Sequence, residues 1–170
     1  MSKRISLREF QQNLTARLGA IRHGDAARTL LGVESGDSLW LIDLADSGEV
    51  IPLTELTPVP LTRHWFAGIT NVRGLLYSVV DFSAFRADHA TPHNSEARLV
   101  MIGARHGINS ALLVDRALGL RPLAQLTRLP DDTTAPTWGH QMYKDAENRQ
   151  WRRLQVRELL ADPAFLDVAT

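Results

Sequence analysis

The sequence predicts a mainly β protein built as small barrels or a sandwich, and three observations carry that prediction. Short apolar runs recur at close spacing with Gly, Pro, Asn or Asp between them. A polar, proline-bearing stretch interrupts the series near its middle, and the helix–strand alternation of βαβ units is absent. With 170 residues, 44% of them apolar, the chain is long enough for one domain or for two small lobes that share an interior.

The first element is the exception, a helix. Ser6 and Glu9 form an S-x-x-E capping box, Ile5 and Phe10 stand at the positions of a hydrophobic staple, and Gly19 is a stop. Leu7, Phe10, Leu14 and Leu18 make one apolar stripe, with Arg8, Gln11, Gln12 and Arg17 off it. The stripe packs on the body of its own protein or docks to another chain, and residues 1–28 are read as an N-terminal helical extension.

From Thr29 the period becomes that of strands. "TLLGVE" and "SLWLIDL" flank "SGD" as a hairpin, and "GEVIPL" follows, to lie at an edge or end at Pro52, which has no N–H for a ladder. "TPVPLTRHWF" is a stiff crossing in which Thr62 is placed to cap a helical turn that carries Trp65 and Phe66 inward. "LLYSVVDF", residues 75–82, is too apolar for a strand with one wet face and reads as covered on both sides. Residues 86–97, "RADHATPHNSEA", read as the junction of two halves. Beyond it "RLVMIGA" and "INSALLVD" flank "RHG" as a hairpin, and "ALGLRPLAQLTRL" is a longer strand interrupted at Pro122. "PDDTTAP" is a loop, Tyr143 and Trp151 flank the turn-like "DAEN", and "VRELLADPAFL" closes the chain as a short helix.

Composition narrows the function. Nineteen basic residues balance nineteen acidic ones, so the field that accompanies nucleic-acid binding is missing. No apolar stretch approaches the roughly 20 residues of a spanning helix, and "MSKRISLREF" lacks the apolar core of a secretion signal. Without cysteine there is neither disulfide nor thiolate metal site, which fits the cytoplasm. The phosphate-loop, dinucleotide, nucleophile-elbow and zinc-helix motifs are all missing. His89 and His93 have the spacing of two ligands on a helix, but Pro92 spoils the helix, and a solvated loop is the simpler reading. Asp43, Asp81 and Asp115 each end an apolar run, as turn caps or as acid–base groups. No catalytic agent is identified and no cofactor is expected.

"WFAGITNVRGLLYSVVDF", residues 65–82, resembles the signature of CheW-like domains: an aromatic, a glycine, N-x-R-G, then an apolar strand ending in V-D. "LWLIDLADSGEVIPL" is similar to the family's second strand and the turn after it, here Glu49 and Val50, and "ARLVMIGARHGINSALLVDRALGL" to the hairpin opening its second half. The resemblance implies two small SH3-like β-barrels around a shared hydrophobic centre, over residues 29–170, the first at roughly 29–86 and the second at roughly 97–160. It implies a non-catalytic adaptor between the cytoplasmic tip of a methyl-accepting chemoreceptor and the regulatory domain of a CheA-type histidine kinase, with no nucleic acid and no membrane insertion. The N-terminal helix, the Trp and Tyr of the second half and the atypical end look more like the CheW-like proteins of type IV pilus chemosensory systems than like the flagellar adaptor. Two departures stand out: "WRRLQV" sets Arg152 and Arg153 where the family has aliphatic residues, so that one of them faces the core unless the strand is at an edge or bulged, and "VDFSAF" adds aromatic bulk at a barrel edge.

The resemblance makes Arg73, Asn71, Gly68, Gly74, Glu49 and Val50 the candidate partner-binding residues. Gly68 and Gly74 permit backbone conformations barred to other residues, and Asn71 tolerates a left-handed turn, which together lift Arg73 from a strand end. Its planar fork suits carboxylates or backbone carbonyls of a partner. Alternatively Arg73 pairs inside its own chain, with Glu49 or Asp81, or an internal pair orients the fork for a partner. A small-ligand barrel, which would need an internal cavity, is the rival from another class.

Overall fold

A computed structural model describes residues 28–170; the N-terminal helix read over Ser6 to Gly19 lies outside the described residues. β1 (Thr29–Ser35) and β2 (Ser38–Asp43) form the expected hairpin: Ser35 lies opposite Ser38, and the turn is Gly36–Asp37 with Gly36 at φ 58°. β3 (Ser47–Pro52) ends at its proline and occupies a sheet edge. Then come β4 (Phe66–Val72), β5 (Leu75–Asp81), helix α1 (Phe82–Phe85), β6 (Arg98–Ile102), β7 (Ser110–Val114), β8 (Arg116–Pro122) and β9 (Thr127–Arg128). β10 (Gln141–Lys144), β11 (Gln150–Leu154), α2 (Val156–Ala161) and α3 (Pro163–Leu166) complete the chain. The closing helix is thus two short ones, parted at Asp162, whose side chain accepts from the Ala164 N–H at 2.9 Å.

Among the described residues the strands make a six-stranded sheet, β8-β1-β2-β11-β10-β9, and a five-stranded one, β3-β6-β7-β5-β4. Each closes on itself. β8 passes through a single 3-10 turn, Leu123–Gln125, into β9, so the two edges of the first sheet are consecutive pieces of chain. β3 runs on to Thr57, which exchanges two backbone bonds of 2.8 and 2.9 Å with Ile69 on the far edge of the second. These are two small SH3-like barrels.

They do not divide the chain at residues 86–97. β3 to β7 make the five-stranded barrel, and it is inserted into the six-stranded one, whose strands come from residues 29–43 and 116–154. Thus neither 29–86 nor 97–160 is a barrel of its own. The stitch is β2 on β11, a parallel pair with Leu39 opposite Trp151, and no local turn signal announces such a distant pairing.

Alternation explains strands that are apolar on both faces. Leu99 and Met101 of β6 turn into the five-stranded barrel with Val79, Ala111 and Leu113, while Val100 and Ile102 turn outward to join Leu112, Val114, Trp40 and Ile42 between the barrels. Leu30, Leu41, Tyr143 and Trp151 fill the other interior. Phe82, Trp138, Trp65 and Phe165 complete the shared centre, with Phe82 edge-on to Trp40 at 4.9 Å. Each such burial contributes about 1.5–3 kcal/mol, so the centre couples the two barrels strongly. The aromatic departure "VDFSAF" is α1, which delivers Phe82 to it.

Three local readings change. Thr62 caps no helical turn: its hydroxyl donates to the Val59 carbonyl at 2.7 Å, its backbone bridges Ala169, and Phe66 begins β4 half-buried while Trp65 alone is buried. β5 is covered on both sides only from Val79 onward. Arg152 and Arg153 sit in neither an edge strand nor a bulge, since β11 lies between β2 and β10 in continuous register. Arg152 donates to Asp132 (2.8 Å) and the Gly139 carbonyl (3.1 Å), and Arg153 to Asp43 (2.6 Å), so both charges are matched.

Candidate partner-binding site

The β4–β5 turn sets the geometry. Val72 lies opposite Leu75, leaving Arg73 and Gly74 as the two central residues, at φ 52° and 84°. Two positive φ values define the hairpin turn whose twist matches the flanking strands. Glycine adopts that conformation freely, whereas for a residue with a side chain it costs roughly 1–2 kcal/mol. The strain falls on Arg73, not on Asn71. Asn71 instead accepts the Gly74 N–H on Oδ1 at 2.8 Å and holds the turn from its strand.

The guanidinium faces solvent, 72% exposed, and meets Glu49 through two bonds, Nη1 to Oε2 and Nη2 to Oε1, each 2.6 Å. Glu49 is available because β3 bulges between Ser47 and Val50. The hydrogen bond from Arg73 holds the Glu49 carboxyl below its ordinary value, and the same bond raises Arg73 in return. Of the two internal partners read from sequence, Glu49 is the one found. Asp81 is buried and accepts from the Ala84 N–H, the Thr91 N–H and the Thr91 hydroxyl.

Around the pair lies apolar surface. Leu75, 53% exposed, and Ile108, 39% exposed, line a hollow of about 270 Å³ with Val72, Tyr77 and Met101, while Leu76, 60% exposed, stands on the other face of the strand. β7 pairs with β5 only from Ser78 to Asp81, so β5 outruns its cover and its first two leucines stand free. Sequence reasoning missed these leucines. The signal available was their place directly after the turn, at a strand end.

Of the six sequence-derived residues, Arg73, Gly74, Asn71 and Glu49 come together here. Val50 is half-buried and turns toward the shared centre. Gly68 is buried at φ 130°, and a Cβ there would meet the Thr57 carbonyl oxygen at 2.4 Å, so it shapes the barrel seam rather than the surface. Asp115 accepts the Gly36 N–H at 2.7 Å as a turn cap, and His89 and His93 lie exposed in a loop. Among the described residues no three His, Asp or Glu are grouped to hold a metal, and no helix is long and apolar enough to cross a membrane.

The CheW-like domain model matches residues 29–164. The chain belongs to the CheW-like domain family. Among curated proteins this CheW-like chain is 24% identical to Protein PilI of Pseudomonas aeruginosa, over 93% of the chain and 89% of that protein. It is 25% identical to Chemotaxis protein CheW of Thermotoga maritima, over 54% of the chain and 59% of that protein. The crystal structure of scaffolding protein TtCheW from Thermoanaerobacter tengcongensis shares its fold, with a TM-score of 0.64 at 20% identity over 75% of this CheW-like chain and 88% of that one. The family resemblance read from residues 65–82, and its leaning toward the pilus branch, are borne out by these matches.

Proposed function

We propose that this CheW-like chain is a non-catalytic, cytoplasmic adaptor that couples the tip of a methyl-accepting chemoreceptor to the regulatory domain of a CheA-type histidine kinase in a chemosensory array controlling type IV pilus twitching. The observation that carries the reading is the β4–β5 hairpin: exposed Leu75 beside an ion-paired but solvent-facing Arg73, with Leu76 exposed on the strand's other face. Apolar area supplies the driving force of association, and a fixed guanidinium fork sets register, the combination found at interface hot spots. Similarity to PilI over most of the chain, against about half of it for the chemotaxis protein, favours the pilus over the flagellar system. The small-ligand barrel is disfavoured because side chains fill both interiors.

The test is co-purification of the tagged chain from its own cell. A CheA-type kinase and a methyl-accepting receptor arriving together support the adaptor, and the absence of both refutes it. Deleting the gene separates the branches: loss of twitching supports the pilus assignment, and loss of swimming with twitching intact overturns it.

A further inference from the structure

The strands of the six-stranded barrel carry five arginines, and four of them are ion-paired: Arg116 with Glu34, Arg128 with Asp131, Arg152 with Asp132 and Arg153 with Asp43. Among the described residues Arg121, on β8, has no such partner. It lies opposite Leu30 and so turns into the barrel, where a Cβ on Gly32 would meet the Trp151 ring at 3.1 Å and the Arg121 Cγ at 3.3 Å. Its guanidinium stands 5.1 Å over the ring of buried Trp151. One long bond is all it makes, Nη2 to the Leu118 carbonyl at 3.3 Å, while Nε is buried without a partner and Nη1 is open to solvent. Arg149, the other cation over that ring at 5.8 Å, has its own carboxylate, Asp145. Asp145 also accepts the Trp151 indole N–H and the backbone N–H groups of Glu147 and Arg149, so its oxygens are taken.

We infer that Arg121 is a docking point on the six-stranded barrel for an acidic side chain of a protein partner. A half-buried cation without a counter-charge is costly, and the face of Trp151 offsets only part of that cost. A carboxylate met end-on by Nη1 and Nη2 supplies the missing charge and two short hydrogen bonds in one contact. The acid comes from outside the fold, because Leu30, Leu41, Tyr143 and Trp151 fill the barrel and leave a free small acid no cavity to enter. A macromolecule brings its own surface to support the contact. Nucleic acid does not fit, since nineteen basic residues against nineteen acidic ones provide no field to hold a phosphate backbone. Joined to the adaptor reading, on which its partner's identity rests, Arg121 gives each barrel one guanidinium for a partner, Arg73 on the five-stranded barrel and Arg121 on the six-stranded one.

The test titrates the isotope-labelled full-length protein with a capped Gly-Gly-Glu-Gly-Gly peptide and with its glutamine counterpart. The Trp151 indole N–H and Arg121 Nε–H signals are expected to shift and saturate with the glutamate peptide alone. Arg121→Met keeps the aliphatic stem beside Gly32, an unchanged urea midpoint verifies its fold, and its Trp151 signal is expected to stay still. No shift at Trp151 in the wild type overturns the inference. Arg157, exposed and without an ion pair among the described residues, is the control: an equal shift there marks an adventitious ion only and overturns it too. Inorganic phosphate that moves Trp151 as far as the glutamate peptide does overturns the choice of a carboxylate. In a pulldown titration Arg121→Met is expected to weaken capture of the kinase or the receptor at least about fivefold, and unchanged capture of both overturns the partner role. If the wild type captures neither, the adaptor reading fails, and the peptide titration alone decides whether Arg121 takes an acidic side chain.

Discussion

Arg73 and Glu49 are joined by two 2.6 Å bonds although the elements that carry them, the β4–β5 turn and β3, stand at opposite edges of the five-stranded sheet. The pair crosses the mouth of a closed barrel. Because both side chains are largely exposed, water and salt screen the attraction, and the pair adds little to folding. Their consequence is geometric, since Glu49 fixes where the fork of Arg73 points. Arg73→Ala and Glu49→Ala are each expected to leave the urea midpoint nearly unchanged and to weaken capture of the kinase or receptor at least tenfold in a pulldown titration. The exchange Arg73→Glu with Glu49→Arg restores the internal pair, and binding stays lost because the guanidinium has moved.

The left-handed backbone of Arg73 separates folding from function. Asparagine accepts that conformation more readily than arginine, and Asn-Gly is the preferred sequence for this turn. Arg73→Asn is expected to raise stability by about 0.5–1 kcal/mol, seen as a higher thermal midpoint, while binding falls as in the alanine variant.

Leu75 and Leu76 contribute little to the core that covers the rest of β5. Exposed substitutions change stability by about 0.5 kcal/mol or less, so Leu75→Glu with Leu76→Glu is expected to unfold at the wild-type denaturant concentration. The same variant should fail to retain either partner on a column. Retention of both at wild-type levels would remove the hairpin from the interface.

Gly68 gives the opposite pattern. A Cβ placed 2.4 Å from the Thr57 oxygen, on a backbone at φ 130°, opens the seam between residues 53–57 and β4. Gly68→Ala is expected to cost about 3 kcal/mol, measured as a fall in the urea midpoint with the slope unchanged.

Asp132 provides a pH prediction. The Thr134 hydroxyl, then the guanidinium of Arg152, hold its carboxyl down from 3.8 to about 2. A depressed carboxyl stabilises the fold fully above its unfolded value and loses that contribution as pH falls through the folded one, here between about pH 4 and pH 2. Asp132→Asn is therefore expected to flatten the loss of stability across that interval, followed as urea midpoints at stepped pH.

Legibility in the sequence followed the range of the interaction. Gly36, Pro52, Pro122 and the pair Tyr143–Trp151 announced turns and strand ends because each acts through its own backbone or its nearest neighbours. The insertion of one barrel into the other was not legible, because the pairing of Leu39 with Trp151 has no short-range cause. Arg152 and Arg153 looked misplaced for a related reason: their partners Asp132 and Asp43 come from a loop and from a strand far off in sequence. At the site, Arg73, Gly74 and Glu49 followed from the family pattern, whereas the exposure of Leu75 and Leu76 depends on where β7 stops, and that is set in three dimensions.

The nesting of one barrel within the other bears on how the polypeptide is made. As it leaves the ribosome, β3 to β7 emerges as one uninterrupted stretch and is topologically complete once Val114 appears. The β1–β2 hairpin, synthesised earlier, must wait for the C-terminal strands, with the whole inserted unit in between. A nascent chain halted after Val114 therefore carries one topologically complete half and one hairpin whose outer strand edges have nothing to pair with.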